Sequence, residues 1–168
     1  LLSTAVQLNS EQLKPVYQWF KNKLRPAYVG GWGPGFTASL CEEQEQREKV
    51  VSFLKAADMD IHDVSVEKKP FKADLIPDEV PASTRQKIIE DMSDKEVMDI
   101  KTLHKTTSDK LVAMDFNEES DGTRKLFSFA GPWLDTLENG YILVIDELHD
   151  NLHPKLVQYL VELFHNDE

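Results

Sequence analysis

The chain has 168 residues, 40% of them hydrophobic and 29% charged, with a formal net charge of -11. That length and hydrophobic share suit one domain with a core of its own, and the acidity argues against general binding to a phosphate backbone, which needs clustered Lys and Arg. The one cysteine, Cys41, excludes a disulfide framework or a Cys-based metal site and makes a reducing cytoplasm the simplest setting.

No apolar stretch approaches the roughly 20 residues that span a bilayer, so no membrane partner is expected. The chain opens with Leu1-Leu2 and has no basic signal-peptide start, so it is expected to begin inside a longer protein. Leu1 to Leu24 reads as helix, with Val6, Leu8, Leu13, Val16, Tyr17, Phe20 and Leu24 at roughly helical spacing. Asn9 or Ser10 can cap a second segment within it. Trp19 and Phe20 are expected in the core; the other reading makes them, with Trp32, an exposed partner surface. Pro26 to Gly35, with Gly30-Gly31, Gly33 and Pro34-Gly35, reads as a loop. Its glycines do not make a phosphate loop, because no Lys-Ser or Lys-Thr follows them.

Glu42 to Ala57 reads as an amphipathic helix with Val50, Val51, Phe53 and Leu54 inward and Glu42–Glu48 as a solvated face. Asp60 to Val66 alternates as a short strand. Lys68 to Asp99, with Pro70, Pro77 and Pro81, reads as a polar excursion holding one helix near Thr84–Met92, where disorder or a family-specific insertion is expected. Ile100–His104 and Leu111–Phe116 read as two strands around a polar turn at Thr106–Asp109. Thr123 to Glu138 is then a long helix, Tyr141 to Ile145 a buried parallel strand, and Pro154 to Phe164 a final helix. The chain divides into a helical part with a short strand (residues 1–66), a variable insertion with strands (67–117), and a C-terminal part (118–168). Helix, buried strand, acidic pair and helix follow the local order of a nucleotide-hydrolase core.

The chemistry concentrates in that C-terminal part. Ile142-Leu143-Val144-Ile145 ends in Asp146-Glu147, two carboxylates where ligand sites of open α/β sheets lie. An Asp there can help hold Mg²⁺, and the Glu after it can polarise an attacking water. The same pair can instead be an acidic loop or helix cap. Upstream, Ser120-Asp121-Gly122-Thr123 opens a helix. Its free amides and dipole make an anion site, and glycine lets the ligand come close. A plain N-cap is the other reading, compatible with the first. His149 and His153, spaced like metal ligands, suggest zinc only as the lesser reading. His62, His104 and His165 stand alone and read as surface or satisfied polar residues.

A Ser-x-Gly helix start, one helix, a Glu-Asn-Gly turn, then a strand ending in Asp-Glu is the order of the ABC signature motif followed by Walker B. Ser120-Asp121-Gly122-Thr123-Arg124-Lys125-Leu126-Phe127 and Leu143-Val144-Ile145-Asp146-Glu147-Leu148-His149-Asp150-Asn151-Leu152-His153-Pro154 resemble the AAA-family ATP-binding proteins with ABC-type heads. These are bacterial relatives of SMC and OLD-family ATPases, many from phage-defence and abortive-infection loci. The motifs cover the last third of the chain; Leu2–Asn9 and Val50–Asp58 resemble the family more weakly.

The resemblance implies an α/β fold: the C-terminal lobe of an ABC/SMC-like P-loop NTPase head with a helical and mixed-sheet insertion, its Walker A lobe absent. It implies ATP and Mg²⁺ as cofactors, Glu147 as general base, and Asp146 assisting Mg²⁺ through water. Ser120, Gly122 and Thr123 would contact the γ-phosphate of ATP held by the other subunit of a homodimer. Asp150, Asn151, Leu152 and His153 would form the D-loop linking the two sites. The signature departs from the transporter form: it reads Ser120-Asp121-Gly122-Thr123, where that form has a second Gly and an acidic residue or Gln. His153 stands where the common D-loop has Asp, no Gly-x-x-x-x-Gly-Lys-Ser/Thr occurs, and the switch histidine would fall past Glu168. The leading expectation is an ATPase switch or motor head acting on an effector protein, with nucleic-acid binding left open. A non-catalytic protein-interaction module is the alternative, and a metal-dependent nuclease using His149 or His153 is the weakest reading.

Overall fold

The computed structural model describes residues 2–7, 10–27 and 32–165. It opens with α1 (Leu2–Gln7) and α2 (Lys14–Lys23), so the helical stretch read up to Leu24 is split into two segments, the second starting later than a cap at Asn9 or Ser10 would set. Pro15 in the first turn of α2 accounts for the break, since its ring and missing N–H do not allow a helix to run through from before it. The Ser10 carbonyl accepts from the amides of Leu13 and Lys14, both at 3.2 Å, so Ser10 serves through its backbone and not as a side-chain cap. Asn9, the other cap candidate, lies outside the described residues.

The chain passes from α2 straight into β1 (Leu24–Ala27). Here Leu24 ends the helical reading and Pro26 belongs to a strand, not a loop; Gly30-Gly31 lies outside the described residues. β1 pairs in parallel with β5 (Ile142–Ile145), Leu24 opposite Ile142 and Ala27 opposite Ile145. α2 packs on α1 and leads into this strand, and none of its residues is buried. Trp19 is 49% and Phe20 41% exposed, edge-on to each other, which corrects their expected place in the core.

Gly35 begins α3 (Gly35–Leu40) and does not close a loop. α4 (Gln44–Ala56) buries Val50, Val51, Phe53 and Leu54, the face its periodicity predicts. An antiparallel sheet follows in the order β2 (Asp63–Pro70), β3 (Glu96–Lys105), β4 (Leu111–Asp115). β2 outruns the expected Asp60–Val66 and β3 starts before Ile100. The Lys69–Asp99 and Lys68–Glu42 ion pairs let these polar ends stay extended. The excursion contracts to residues 71–95, a 3-10 turn at Ala73–Leu75 and α5 (Ala82–Met92).

α6 (Asp121–Asn139) is the spine of the core and buries Leu126, Phe127, Phe129, Ala130 and Trp133. α3 crosses it closely: a Cβ on Gly131 would stand 2.7 Å from the Thr37 hydroxyl oxygen. α6 stops at Gly140, whose φ of 59° is the left-handed cap conformation glycine adopts without strain. After β5, α7 (Pro154–Glu162) seats Leu160 in the core, where the Trp133 indole N–H donates to its carbonyl at 3.1 Å.

The expectation of a buried β5 is corrected. Leu143 and Ile145 pack on the core, but Ile142 is 41% and Val144 52% exposed. Strand side chains alternate between faces, and among the described residues this two-stranded sheet is covered on one face. Among the described residues no helix is long and apolar enough to cross a membrane.

Candidate functional site

The N-terminus of α6 is built by its cap. Ser120 has extended backbone angles (φ -61°, ψ 152°), and its Oγ accepts from the Thr123 amide at 3.1 Å. The Ser120 carbonyl takes the first helical bond, from Arg124 N at 2.9 Å. The opening amides of a helix have no acceptor inside it, and those of Asp121 and Gly122 donate to no protein acceptor among the described residues. Capping uses a lone pair of the Ser120 oxygen and leaves its proton to donate, to Thr123 Oγ1 at 2.8 Å or to an incoming anion. The Asp121 carboxylate is turned aside by its ion pair with Arg124. Ser120 is exposed, Gly122 half-buried and Thr123 buried, with the Thr123 hydroxyl 3.8 Å from Met59 Sδ. The N-cap reading is thus met by this geometry.

At the far end of α6 the Gly140 cap turns the chain into β5, and Asp146 and Glu147 follow at its C-terminal rim. Both are exposed. Glu147 has a φ of 52°, left-handed for a residue with a Cβ. This reverses the chain after the strand: the Asp150 amide donates to the Glu147 carbonyl at 3.0 Å, and the Leu152 amide to that of His149 at 3.1 Å. Asn151 is also left-handed, at 53°. Leu152 is buried and anchors the loop, and His153 caps α7 by accepting from the Lys155 amide at 3.3 Å. His149 Nε2 lies 3.3 Å from a Glu147 carboxylate oxygen, both side chains exposed.

The two halves of the motif set meet through the loop, not through the acidic pair. A Cβ on Gly122 would stand 3.3 Å from the Asn151 carbonyl oxygen. The Lys125 ammonium donates to the Asp150 carbonyl, lies 3.9 Å from its carboxylate and sits over the Phe129 ring. Among the described residues no hydrogen bond or ion pair joins Asp146 or Glu147 to Ser120–Thr123. His149 accepts at the start of a loop turn, whereas His153 is the N-cap of α7. Among the described residues no group of three or more His, Cys, Asp and Glu side chains is set to hold a metal ion.

Two contributors carry no mark in the sequence. Lys125 lies inside the quoted motif, but only the fold shows that it reaches the loop after β5. Glu119 is buried while Glu118 beside it is exposed, and nothing in an acidic pair distinguishes them.

A mixed α/β domain with a parallel strand pair, an antiparallel sheet and a strand ending in an acidic pair fits a P-loop NTPase-like AAA domain. The chain belongs to the family described as AAA domain, putative AbiEii toxin, Type IV TA system, whose model matches residues 12–168. The family is of the ATPase type, in which the nucleotide is ATP with Mg²⁺. No curated protein and no solved structure matches the chain.

Proposed function

We propose that this chain is the catalytic C-terminal half of an ABC-type ATPase head. It would act as a dimeric switch or motor with ATP sandwiched between two heads. The observation that carries this reading is the seating of Gly122 on the Asn151 carbonyl. It makes the helix start at Ser120 and the loop after Asp146-Glu147 one continuous surface. The residues suit the group: exposed carboxylates stand at a strand's C-terminal rim, and a helix N-terminus has free amides and a hydroxyl proton to donate.

ATP with Mg²⁺ supplies the transferable γ-phosphoryl group. Asp146 would help hold the Mg²⁺, which would neutralise charge on the phosphates. Glu147 takes the proton from the attacking water. The Asp121 and Gly122 amides and the Ser120 hydroxyl bind the γ-phosphate of the nucleotide held by the opposite head, with Thr123 holding the turn in shape. The loop Asp150–His153 carries the state of one site toward the other. Hydrolysis removes the shared phosphate contact and lets the heads part, acting on an effector protein. The family's description favours abortive infection, and so phage defence, as the setting.

The test is Glu147→Gln in the full-length protein. The amide keeps the side chain's shape but is no base, so turnover should fall about 10²–10⁴-fold while ATP binding survives. Size-exclusion chromatography with ATP and Mg²⁺ should show an accumulated ATP-bound dimer. A variant that stays monomeric and turns over normally would return the chain to the interaction-module reading.

A further inference from the structure

We propose that Glu119 is the positioning residue for the Ser120–Thr123 phosphate contact, held by Thr102 and His104 of β3. The inference rests on the reading of that turn as an ATP contact and adds what fixes its geometry.

Glu119 is the last residue before the Ser120 cap, and its side chain is only 6% exposed. A buried carboxylate is costly unless directional partners compensate it. Its partners come from another element: Thr102 Oγ1 donates to Oε1 at 2.5 Å, and His104 Nε2 meets the same oxygen at 2.6 Å. Thr102 is fully buried and has one proton to give; its other acceptor, the Met114 carbonyl, is 3.5 Å away, so the carboxylate takes the donor. Thr102 and His104 share one face of β3, two residues apart, and grip a single oxygen together.

The segment between β4 and α6 is pinned along its length. Asp115 Oδ1 accepts from the Asn117 amide at 2.9 Å. Phe116 is buried against Phe127, ring centroids 5.0 Å apart. The Glu119 amide donates to the Phe116 carbonyl at 3.3 Å. One peptide link then separates the Glu119 anchor from Ser120, whose oxygen sets the cap. An apolar residue at 119 would be equally buried but free to rotate. Charge-assisted bonds to one oxygen fix direction as well as depth. Strands β3 and β4, which fall in the segment read from sequence as a variable insertion, thereby become the mount of the phosphate contact, and a shift of β3 moves the Ser120 cap.

The experiment uses the full-length protein and measures three quantities: ATP affinity of a single head, the ATP-driven dimerisation constant, and the melting temperature. Thr102→Val keeps side-chain shape and removes the donor, and Glu119→Ala removes the anchor. Both should leave single-head ATP affinity unchanged and weaken dimerisation about tenfold, the value of one lost hydrogen bond to a charged group. Glu119→Gln retains an acceptor for Thr102 and should restore most of the loss. Tyr159→Phe, which removes the hydrogen bond from α7 to the Phe53 carbonyl of α4 and leaves the β3 anchor intact, should lower melting without touching dimerisation. Wild-type dimerisation in Thr102→Val, or an equal loss in Tyr159→Phe, overturns the positioning role while leaving the signature reading standing. Normal dimerisation in Gly122→Asp would remove that reading and this inference with it.

Discussion

Gly122 faces the carbonyl oxygen of Asn151 so closely that a Cβ would stand 3.3 Å from it. The opening turn of α6 and the loop after β5 lie against each other, and a side chain at 122 needs the Asn151 carbonyl to give by only a few tenths of an ångström. Gly122→Asp separates the demands of folding from those of ligand binding. A carboxylate in the first turn favours the helix dipole by about 0.3–1 kcal/mol, which offsets part of the crowding. The same charge repels an incoming γ-phosphate. Thermal melting should therefore stay close to wild type while ATP-driven dimerisation of the full-length protein is lost. A variant that melts normally and still dimerises with ATP would show that no anion is bound there.

Glu147 holds a left-handed backbone at the strand's end, a conformation that costs a residue with a Cβ about 1–2 kcal/mol. Strain of this kind gathers at functional positions. Glu147→Gly should relieve it and hold or raise stability by up to about 1 kcal/mol in chemical denaturation. The same change removes the general base and should collapse ATP turnover. Loss of stability and activity together would instead mark Glu147 as part of the fold's support.

Cys41 is buried, and burial pushes its thiol up to about 12, with Asp63 adding to the shift and Arg47 opposing it. The folded state thus favours the protonated thiol. Its contribution to stability is complete below the unfolded thiol's ordinary range near 9 and is lost as pH rises toward about 12. Native protein at pH 8 should resist iodoacetamide, and protein in denaturant should react at once. Rapid labelling of the native protein would contradict the burial of α3's end.

The parts of this fold legible in the sequence are those whose partners lie close in the chain. α4 shows its apolar face as a helical period, the β3-β4 turn is announced by Thr106–Asp109, and the run from Ser120 to α7 carries cap, glycine stop, strand and cap in order. β1 was not legible. It is four residues with a proline inside, and it is a strand only because β5, more than a hundred positions on, pairs with it. α3 was hidden for a similar reason, since its seat is Gly131 of α6. The exposure of Ile142 and Val144 could not be read from an apolar run either, because composition does not say how many faces of a sheet are covered. In the candidate site, the Ser120 cap and the acidic pair were visible as residue types. The contacts of Lys125 with Asp150 and of Glu119 with Thr102 are tertiary, and no spacing encodes them.

Pro132 in the middle of α6 offers a final test of how the spine is held. Proline has no N–H, so the Ser128 carbonyl, four residues back, loses its helical partner. Thr37 of α3 supplies the replacement: its hydroxyl donates to the Ser128 carbonyl at 3.4 Å and accepts from the Gly131 amide at 3.0 Å. Gly131 lets α3 come this near, for a Cβ there would also stand 3.0 Å from Thr37 Cα. Thr37→Val keeps the volume but leaves a buried carbonyl and a buried amide without their partner, which should cost about 1–3 kcal/mol. Pro132→Ala returns an N–H to the helix and gives Ser128 its own partner back. In the Pro132→Ala background the Thr37→Val cost should therefore shrink, with a coupling of roughly 1 kcal/mol in a denaturation double-mutant cycle. Strict additivity of the two changes would mean that Thr37 holds α6 by packing alone and that its hydroxyl does not replace the bond proline removes.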